Sequence, residues 1–213
     1  MYIGHTLPQR PISFDEFDPD YLANYVRENI LPTLEGRRKQ ICQNFVDHAT
    51  HECKGDLSGL LGTCSQKSQD YRRWGSGDDG LMDGIQPQSY DELEVFYGNL
   101  MAFTLFVIHL ELEKFVVGED TLCIEGNVHQ MYPAAMLPVA FGLDVDDADD
   151  DEAVYMLTIR MALFFIFDED GIGTGEQSYT NGDPTIESFV KVPKDKVPQR
   201  FWDNLKKFGG DDE

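Results

Sequence analysis

From Ala153 to Asn181 the chain reads "AVYMLTIRMALFFIFDEDGIGTGEQSYTN". Laid out as an extended strand, one face of the first half is Tyr155, Leu157, Ile159, Met161, Leu163, Phe165 and Phe167; the other is Val154, Met156, Thr158, Arg160, Ala162, Phe164 and Ile166. Both faces are largely apolar, so the strand is expected to be covered by helices or a ligand on one side and by a partner on the other. Asp168 to Gly171 then reads as the bend of a hairpin, because glycine supplies the positive φ that a tight turn needs. A calcium loop is excluded by spacing: counted from Asp168, Ile172 and Tyr179 occupy the fifth and twelfth positions, where oxygen ligands are required. Gly171, Gly173 and Gly175 lack the spacing and the following helix of a phosphate cradle.

Upstream, "LFVIHLELEKFVV" (105–117) and "LCIEGNVHQMY" (122–132) share the two-residue period and are joined by "GEDT", giving four successive strands with "AVYMLTIRMALFFIF" and "GEQSYTN". The first half of the chain has helical spacing instead. Tyr21 to Leu34 reads as a helix that Pro32 should kink or restart. Arg37 onward reads as a second helix stopping at Lys54–Gly55, with glycine as C-cap, and Asp56 as the N-cap of a short third. "QDYRRWGSGDDGLMDG" combines a short strand with a glycine-rich loop, and Ser89 with Glu92 resembles a capping box opening "SYDELEVFYGNLMAF". Gly75, Gly77 and Gly80 form a literal G-x-G-x-x-G, but Asp78, Asp79 and Asp83 around it would repel a pyrophosphate. The tail carries Phe201, Trp202, Leu205 and Phe208 at a spacing that suits a docked short helix. Helices first, then long antiparallel strands, is the order of an α+β fold in which a curved sheet wraps around N-terminal helices.

The 213 residues are enough for one large domain with a sizeable core. A formal charge of -22, from 39 acidic and 17 basic residues, argues against nucleic acid and anionic membrane as partners. Cys42, Cys53, Cys64 and Cys123 contain no C-x-x-C pair and are expected to be reduced thiols. No leader pattern or membrane-length apolar run is present, so a cytoplasmic location is expected. The acidic stretch "GLDVDDADDDE" has no fixed ligand spacing and reads as a solvated insertion rather than a metal site.

The segments "NFVDHATHECKGDLSGLLGTCSQKSQDY", "GDDGLMDGIQPQSYDELEVFYGNL", "LELEKFVVGEDTLCIEGNV" and "IRMALFFIFDEDGIGTGEQSYTN" resemble, in this order, the nuclear transport factor 2-like superfamily and within it the SnoaL-like branch. The resemblance spans residues 37–181, leaving an N-terminal arm and helix (1–36) and a C-terminal extension (182–213) outside it. It implies a cone-shaped, cystatin-like α+β sheet around helices, a deep apolar pocket, and often a homodimer packed through the outer sheet face. Members include polyketide cyclases, ketosteroid isomerases, dehydratases, limonene-epoxide hydrolases and non-catalytic binding modules, so fold alone does not choose an activity.

Within that frame His129 is the candidate general acid or base, since an imidazole needs only a small pKa shift to serve near pH 7. Asn127 shares its strand face. The resemblance places His48 near the oxyanion-stabilising tyrosine of the isomerases, and Tyr71 at the water-holding tyrosine of the epoxide hydrolases, with Arg73 in place of their asparagine. The isomerase base falls near Arg72, with Asp70 two residues earlier, and the hydrolase Asp-Arg-Asp set falls on Gly126, Val128 and Gln177. Both families' own carboxylates are therefore replaced. Arg160 on a buried strand needs an anionic partner, with Glu113, Glu125 and Glu176 as candidates. Trp74, Phe96 and Tyr132 join Tyr71 as expected pocket walls, and Glu176 as a polar group in the pocket. His48, His51 and Glu52 lack a further ligand at zinc spacing. The expected chemistry is acid/base cyclisation, isomerisation or dehydration of a hydrophobic small molecule, with no metal or nucleotide cofactor. His129 would transfer the proton, Tyr71 and His48 would donate to an oxyanion, and Asp70 or Arg160 would orient them. The alternatives are a non-catalytic binding or assembly module and an epoxide hydrolase.

Overall fold

The computed structural model describes residues 10–75, 86–150 and 152–208. The literal G-x-G-x-x-G therefore lies mostly outside the described residues. The first helix, α1 (Tyr21–Tyr25), widens into a π turn over Val26–Ile30 and tightens into a 3-10 turn over Leu31–Thr33. Pro32 explains the change, because its ring collides with the carbonyl four residues back and it has no N–H to donate. The long α2 (Gly36–Cys53) buries Ile41, Cys42, Phe45, Val46, His48, Ala49 and Cys53. In α3 (Leu57–Leu61) the N-cap Asp56 accepts the amide of Gly59, as its position in the sequence suggests. Helix α4 (Tyr90–Ala102) begins with Ser89 accepting the Glu92 amide, while the Glu92 carboxylate takes the amide of Gln88 instead of closing the box on Ser89 itself.

The sheet contains β1 (Arg72–Trp74), β2 (Ile108–Val117), β3 (Thr121–Pro133), β4 (Val154–Phe167), β5 (Gly173–Thr180) and β6 (Phe189–Lys191), with the order β1-β5-β4-β3-β2. Strand β6 pairs with the first part of β4, opposite Tyr155 to Leu157, and β5 pairs with its second part, opposite Met161 to Phe167. The sheet is curved and does not close. All pairings are antiparallel except the short β1 beside β5. Two glycines permit close backbone approach. A Cβ on Gly126 would stand 2.0 Å from the carbonyl oxygen of Glu111, and one on Gly175 would stand 2.3 Å from that of Asp70.

The Asp168–Gly171 bend is a hairpin turn between β4 and β5. The Asp168 carboxylate accepts the amides of Asp170 and Ile172, and Gly171 takes φ +80. Arg37 and Gln40 on α2 donate to the turn's carbonyls, which fastens the helix to the hairpin. Two elements escape the sequence pattern: β6, and the short α5 (Met136–Phe141), which ends at Gly142 with φ +64. The acidic stretch is tied to the sheet, since Tyr155 donates to Asp147 at 2.6 Å and Lys191 pairs with the same carboxylate. Among the described residues no helix is long and apolar enough to cross a membrane.

Alternation along the strands divides the sheet into two faces. Leu110, Ile124, Val128, Tyr132, Leu157, Ile159, Met161, Leu163, Phe165, Glu176 and Ser178 face the helices and border one cavity. His109, Glu111, Glu125, Asn127, His129, Thr158 and Arg160 occupy the opposite, outer face. The N-terminal segment passes around the free edge of β2: Tyr21 stacks on His109 at 4.9 Å and Phe17 lies 5.8 Å from the same ring, while Leu22 borders the cavity. The C-terminal α6 (Gln199–Phe208) is joined to this segment by Arg200, which pairs with Asp20, and to α4 by Asn204, which donates to the carbonyl of Met101.

Candidate functional site

The cavity between α2, α4 and the inner sheet face has a volume of about 200 Å³ and walls that are mostly apolar. Helix α2 contributes Phe45, His48, Ala49 and Glu52, which recur at three- and four-residue spacing and so share one helical face. Tyr71 precedes β1 and alternates with Arg72, so Tyr71 and Arg73 both turn inward while Trp74 turns outward. Helix α4 adds Phe96 and Tyr97, and β5 adds Glu176 and Ser178.

A directional chain of hydrogen bonds runs along one wall. Thr63 donates its hydroxyl proton to the Leu60 carbonyl at 2.6 Å, so its oxygen must accept from His48 Nδ1–H at 2.8 Å. His48 Nε2 is thereby left as an acceptor, which receives the Tyr97 hydroxyl at 3.1 Å. The Tyr97 oxygen in turn accepts from Tyr71 at 3.0 Å. Burial supports this assignment: it lowers the pKa of His48 to about 4, keeping the ring neutral, and holds both phenols well above their ordinary value. Tyr71 ends the chain. Its proton can turn from Tyr97 to a ligand oxygen without disturbing the bonds among Tyr97, His48 and Thr63.

Two carboxyl groups complete the polar inventory. Burial raises Glu52 to about 7, and burial reinforced by the charge of Glu52 raises Glu176 to about 8, with the Arg73 guanidinium opposing the rise. Both border the cavity and are half-buried. A pair of half-buried carboxyls raised toward neutrality can supply one acid and one base at the same pH.

Of the sequence candidates, Tyr71, His48, Phe96, Tyr132 and Glu176 border this cavity. His129 lies on the other face of β3, fully buried, with Nδ1 2.9 Å from Thr158 Oγ1 and Nε2 3.2 Å from a Glu111 carboxylate oxygen. Burial lowers its pKa to about 4. Asn127, beside it, donates to the same Glu111 carboxylate. Arg160 also lies on the outer face, paired with Glu113 at 2.7 Å and Glu125 at 2.5 Å, two of the three partners the sequence offers. Asp70 faces solvent with Arg72 at 2.7 Å, and Trp74 stacks on Tyr179 with ring centroids 4.7 Å apart. None of these five is brought to the cavity. Period-two alternation places His129 with Glu125 and Asn127 on one face of β3 and Leu122, Ile124, Val128 and Tyr132 on the other, and the apolar face is the one that meets the helices.

Glu52 and Tyr97 are the residues that sequence reasoning missed as site groups. The signal for Glu52 is its position four residues after His48 on the buried face of α2. His48 and His51 diverge, the first to Thr63 and Tyr97 and the second to Asp56 at 2.8 Å. Among the described residues no three His, Cys, Asp or Glu side chains converge as a metal site would require.

No protein-family model matches the chain, and no curated protein matches it. Solved structures do. A putative SnoaL-like polyketide cyclase from Jannaschia sp. is 8% identical with a TM-score of 0.48, over 70% of this chain and 90% of that one. The Δ5-3-ketosteroid isomerase of a Mycobacterium species is 12% identical with a TM-score of 0.47, over 72% and 98%. An NTF2-like protein of unknown function from Burkholderia pseudomallei is 12% identical with a TM-score of 0.46, over 66% and 90%. The NTF2-like and SnoaL-like names of the sequence resemblance recur among these structures.

Proposed function

We propose that the chain is a proton-transfer enzyme that isomerises, cyclises or dehydrates a small hydrophobic molecule inside the cavity. The observation that carries this reading is the convergence, on one apolar cavity, of the Tyr71–Tyr97–His48 chain and the Glu52–Glu176 pair. Of this pair, the carboxyl that is ionised is the base that removes a proton beside a carbonyl or equivalent group. Tyr71 donates to the oxyanion that develops, where a positioned donor in a dry site is worth far more than in water. The carboxyl that stays protonated is the acid that returns a proton or assists a leaving group. A volume of about 200 Å³ favours a one- or two-ring substrate over a steroid-sized one, because ligand pockets usually measure roughly 300–1,000 Å³.

The test is ¹H NMR of deuterium incorporation at the α-carbon of phenylacetone, an apolar ketone of suitable size. Exchange above the buffer rate by the wild-type protein, reduced in Glu52→Gln and Glu176→Gln, is expected. Equal rates in all three proteins would return the cavity to a non-catalytic binding role.

The homodimer expected from the resemblance belongs to the same proposal. Trp74, Tyr179 and Val116 are 37%, 45% and 53% exposed on the outer sheet face, where a second copy would cover them. Sedimentation analysis checks this: Tyr179→Glu is expected to convert a dimer to a monomer, and a monomeric wild-type protein would refute it.

A further inference from the structure

The mechanism gives no task to Arg73, which borders the cavity. Arg73 enters from β1, paired in register with Ser178 of β5, so its side chain shares the inner face with Ser178 and lies near Glu176. Its Nε–H is buried and has no hydrogen-bond partner among the described residues. Glu176 feels the guanidinium's charge without a hydrogen bond to it, and so does Tyr132. The Tyr132 hydroxyl donates to Gln130 Oε1 at 2.6 Å. An unpartnered buried donor is costly and uncommon in folded proteins, and a guanidinium is shaped to take a carboxylate through two parallel N–H groups.

We propose that Arg73 anchors the ligand through a carboxylate, so that the substrate is an apolar monocarboxylic acid whose ring or chain fills the rest of the cavity. The proposal rests on reading the cavity as a ligand site and adds the substrate's chemical class. The surrounding charges favour it. From α2 the cavity receives His48, held neutral, and Glu52; from the segment before β1, Tyr71; from β1, Arg72 as well as Arg73; from α4, Tyr97; from β3, Tyr132; and from β5, Glu176. The tyrosines stay protonated, as does Cys53 at the end of α2. With both glutamates protonated, arginine is the one kind of charge lining the cavity. Ionisation of the pair as pH rises through about 7 and 8 then opposes an anionic ligand.

The experiment is isothermal titration of the full chain with 3-phenylpropanoate, its amide 3-phenylpropanamide, and propylbenzene. In the wild-type protein at pH 6 the carboxylate is expected to bind at least tenfold more tightly than the amide, and to lose that advantage by pH 9 while the amide is unchanged. Arg73→Gln should abolish the preference and Arg73→Lys should keep part of it, with circular dichroism confirming that both variants fold. Equal affinity for acid and amide in the wild-type protein, or an undiminished preference in a folded Arg73→Gln variant, overturns the proposal. Because these are binding measurements, they stand apart from the phenylacetone exchange assay: carboxylate selectivity without exchange would retain the anchor and remove the enzyme, and exchange without selectivity would do the reverse.

Discussion

Tyr71 and Tyr97 share a hydroxyl-to-hydroxyl hydrogen bond of 3.0 Å, and its direction follows from a threonine two links away. Because Thr63 spends its proton on the Leu60 carbonyl, each donor upstream must point the same way, and Tyr71 alone is free to re-aim. The two phenols therefore predict different losses. Tyr71→Phe should lower exchange by roughly 10²–10³-fold, the usual cost of removing one oxyanion donor, with little change in stability. Tyr97→Phe should keep the Tyr71 hydroxyl but remove its resting acceptor and strand His48 Nε2, costing about 1–3 kcal/mol of stability and less activity than Tyr71→Phe. Rates by NMR and urea unfolding of the two variants separate the roles.

The two cavity glutamates set the stability profile in the alkaline direction. Their folded pKa values of about 7 and 8 lie above the ordinary 4.5, so the native state holds more protons than the unfolded one between those limits. Stability contributed by these groups is complete at low pH and is lost as pH rises through the folded values. His48 and His129, lowered to about 4, work oppositely: their contribution is gained as pH rises from about 4 to 6.5. Between pH 6.5 and 8 the glutamates act without that compensation. Unfolding free energy should fall there by roughly 1.4 kcal/mol per pH step of one for each extra proton the native state still holds. The double variant Glu52→Gln, Glu176→Gln should flatten this limb. Denaturant titrations at closely spaced pH values check it; an equally steep limb in the variant would refute the assignment.

His129 is the leading catalytic candidate in the sequence, and its location predicts a structural phenotype. His129→Ala removes bonds to Thr158 and Glu111 on the face opposite the cavity. Melting should show a loss of about 1–3 kcal/mol, while phenylacetone exchange by the folded fraction stays at the wild-type rate. A large fall in that rate would return His129 to the mechanism.

Much of the fold is legible in the sequence because local chemistry dictates it. The long apolar strand of β4, the Asp168–Gly171 turn, the Asp56 cap and the Ser89 cap are each written in a few adjacent residues. The site is legible only in part. Tyr71, His48 and Glu176 can be nominated, but Arg160 cannot be assigned a face, since β4 is apolar on both sides and gives alternation without an inside. Strand β3 does carry a signal, because Leu122, Ile124, Val128 and Tyr132 alternate with Glu125, Asn127 and His129, which sets His129 on the polar, outer face. Strand β6 and helix α5 escape for a related reason: three and six residues carry too little periodicity to stand out, and their contacts with β4 and β3 are set by tertiary packing.

The approach of β1 to β5 predicts a further dependence. Since a Cβ on Gly175 would stand 2.3 Å from the Asp70 carbonyl oxygen, Gly175→Ala must push the Tyr71–Arg73 segment away from the cavity. It should destabilise the fold by roughly 1–3 kcal/mol and weaken binding of 3-phenylpropanoate. Gly98→Ala, inside α4 where a Cβ meets nothing within 4 Å, is the control: it should leave binding unchanged and raise stability by up to about 1 kcal/mol through helix propensity.

Proton transfer by the Glu52–Glu176 pair beside the Tyr71 hydroxyl is read out by the pH profile of α-deuteration. For phenylacetone, the wild-type rate should follow a bell whose limbs belong to the coupled pair and lie near pH 7 and 8. The double Glu52→Gln, Glu176→Gln variant should lose the bell and fall to the buffer rate while still binding 3-phenylpropanoate. A wild-type rate no faster than buffer, or a bell that survives in the double variant, would contradict the account.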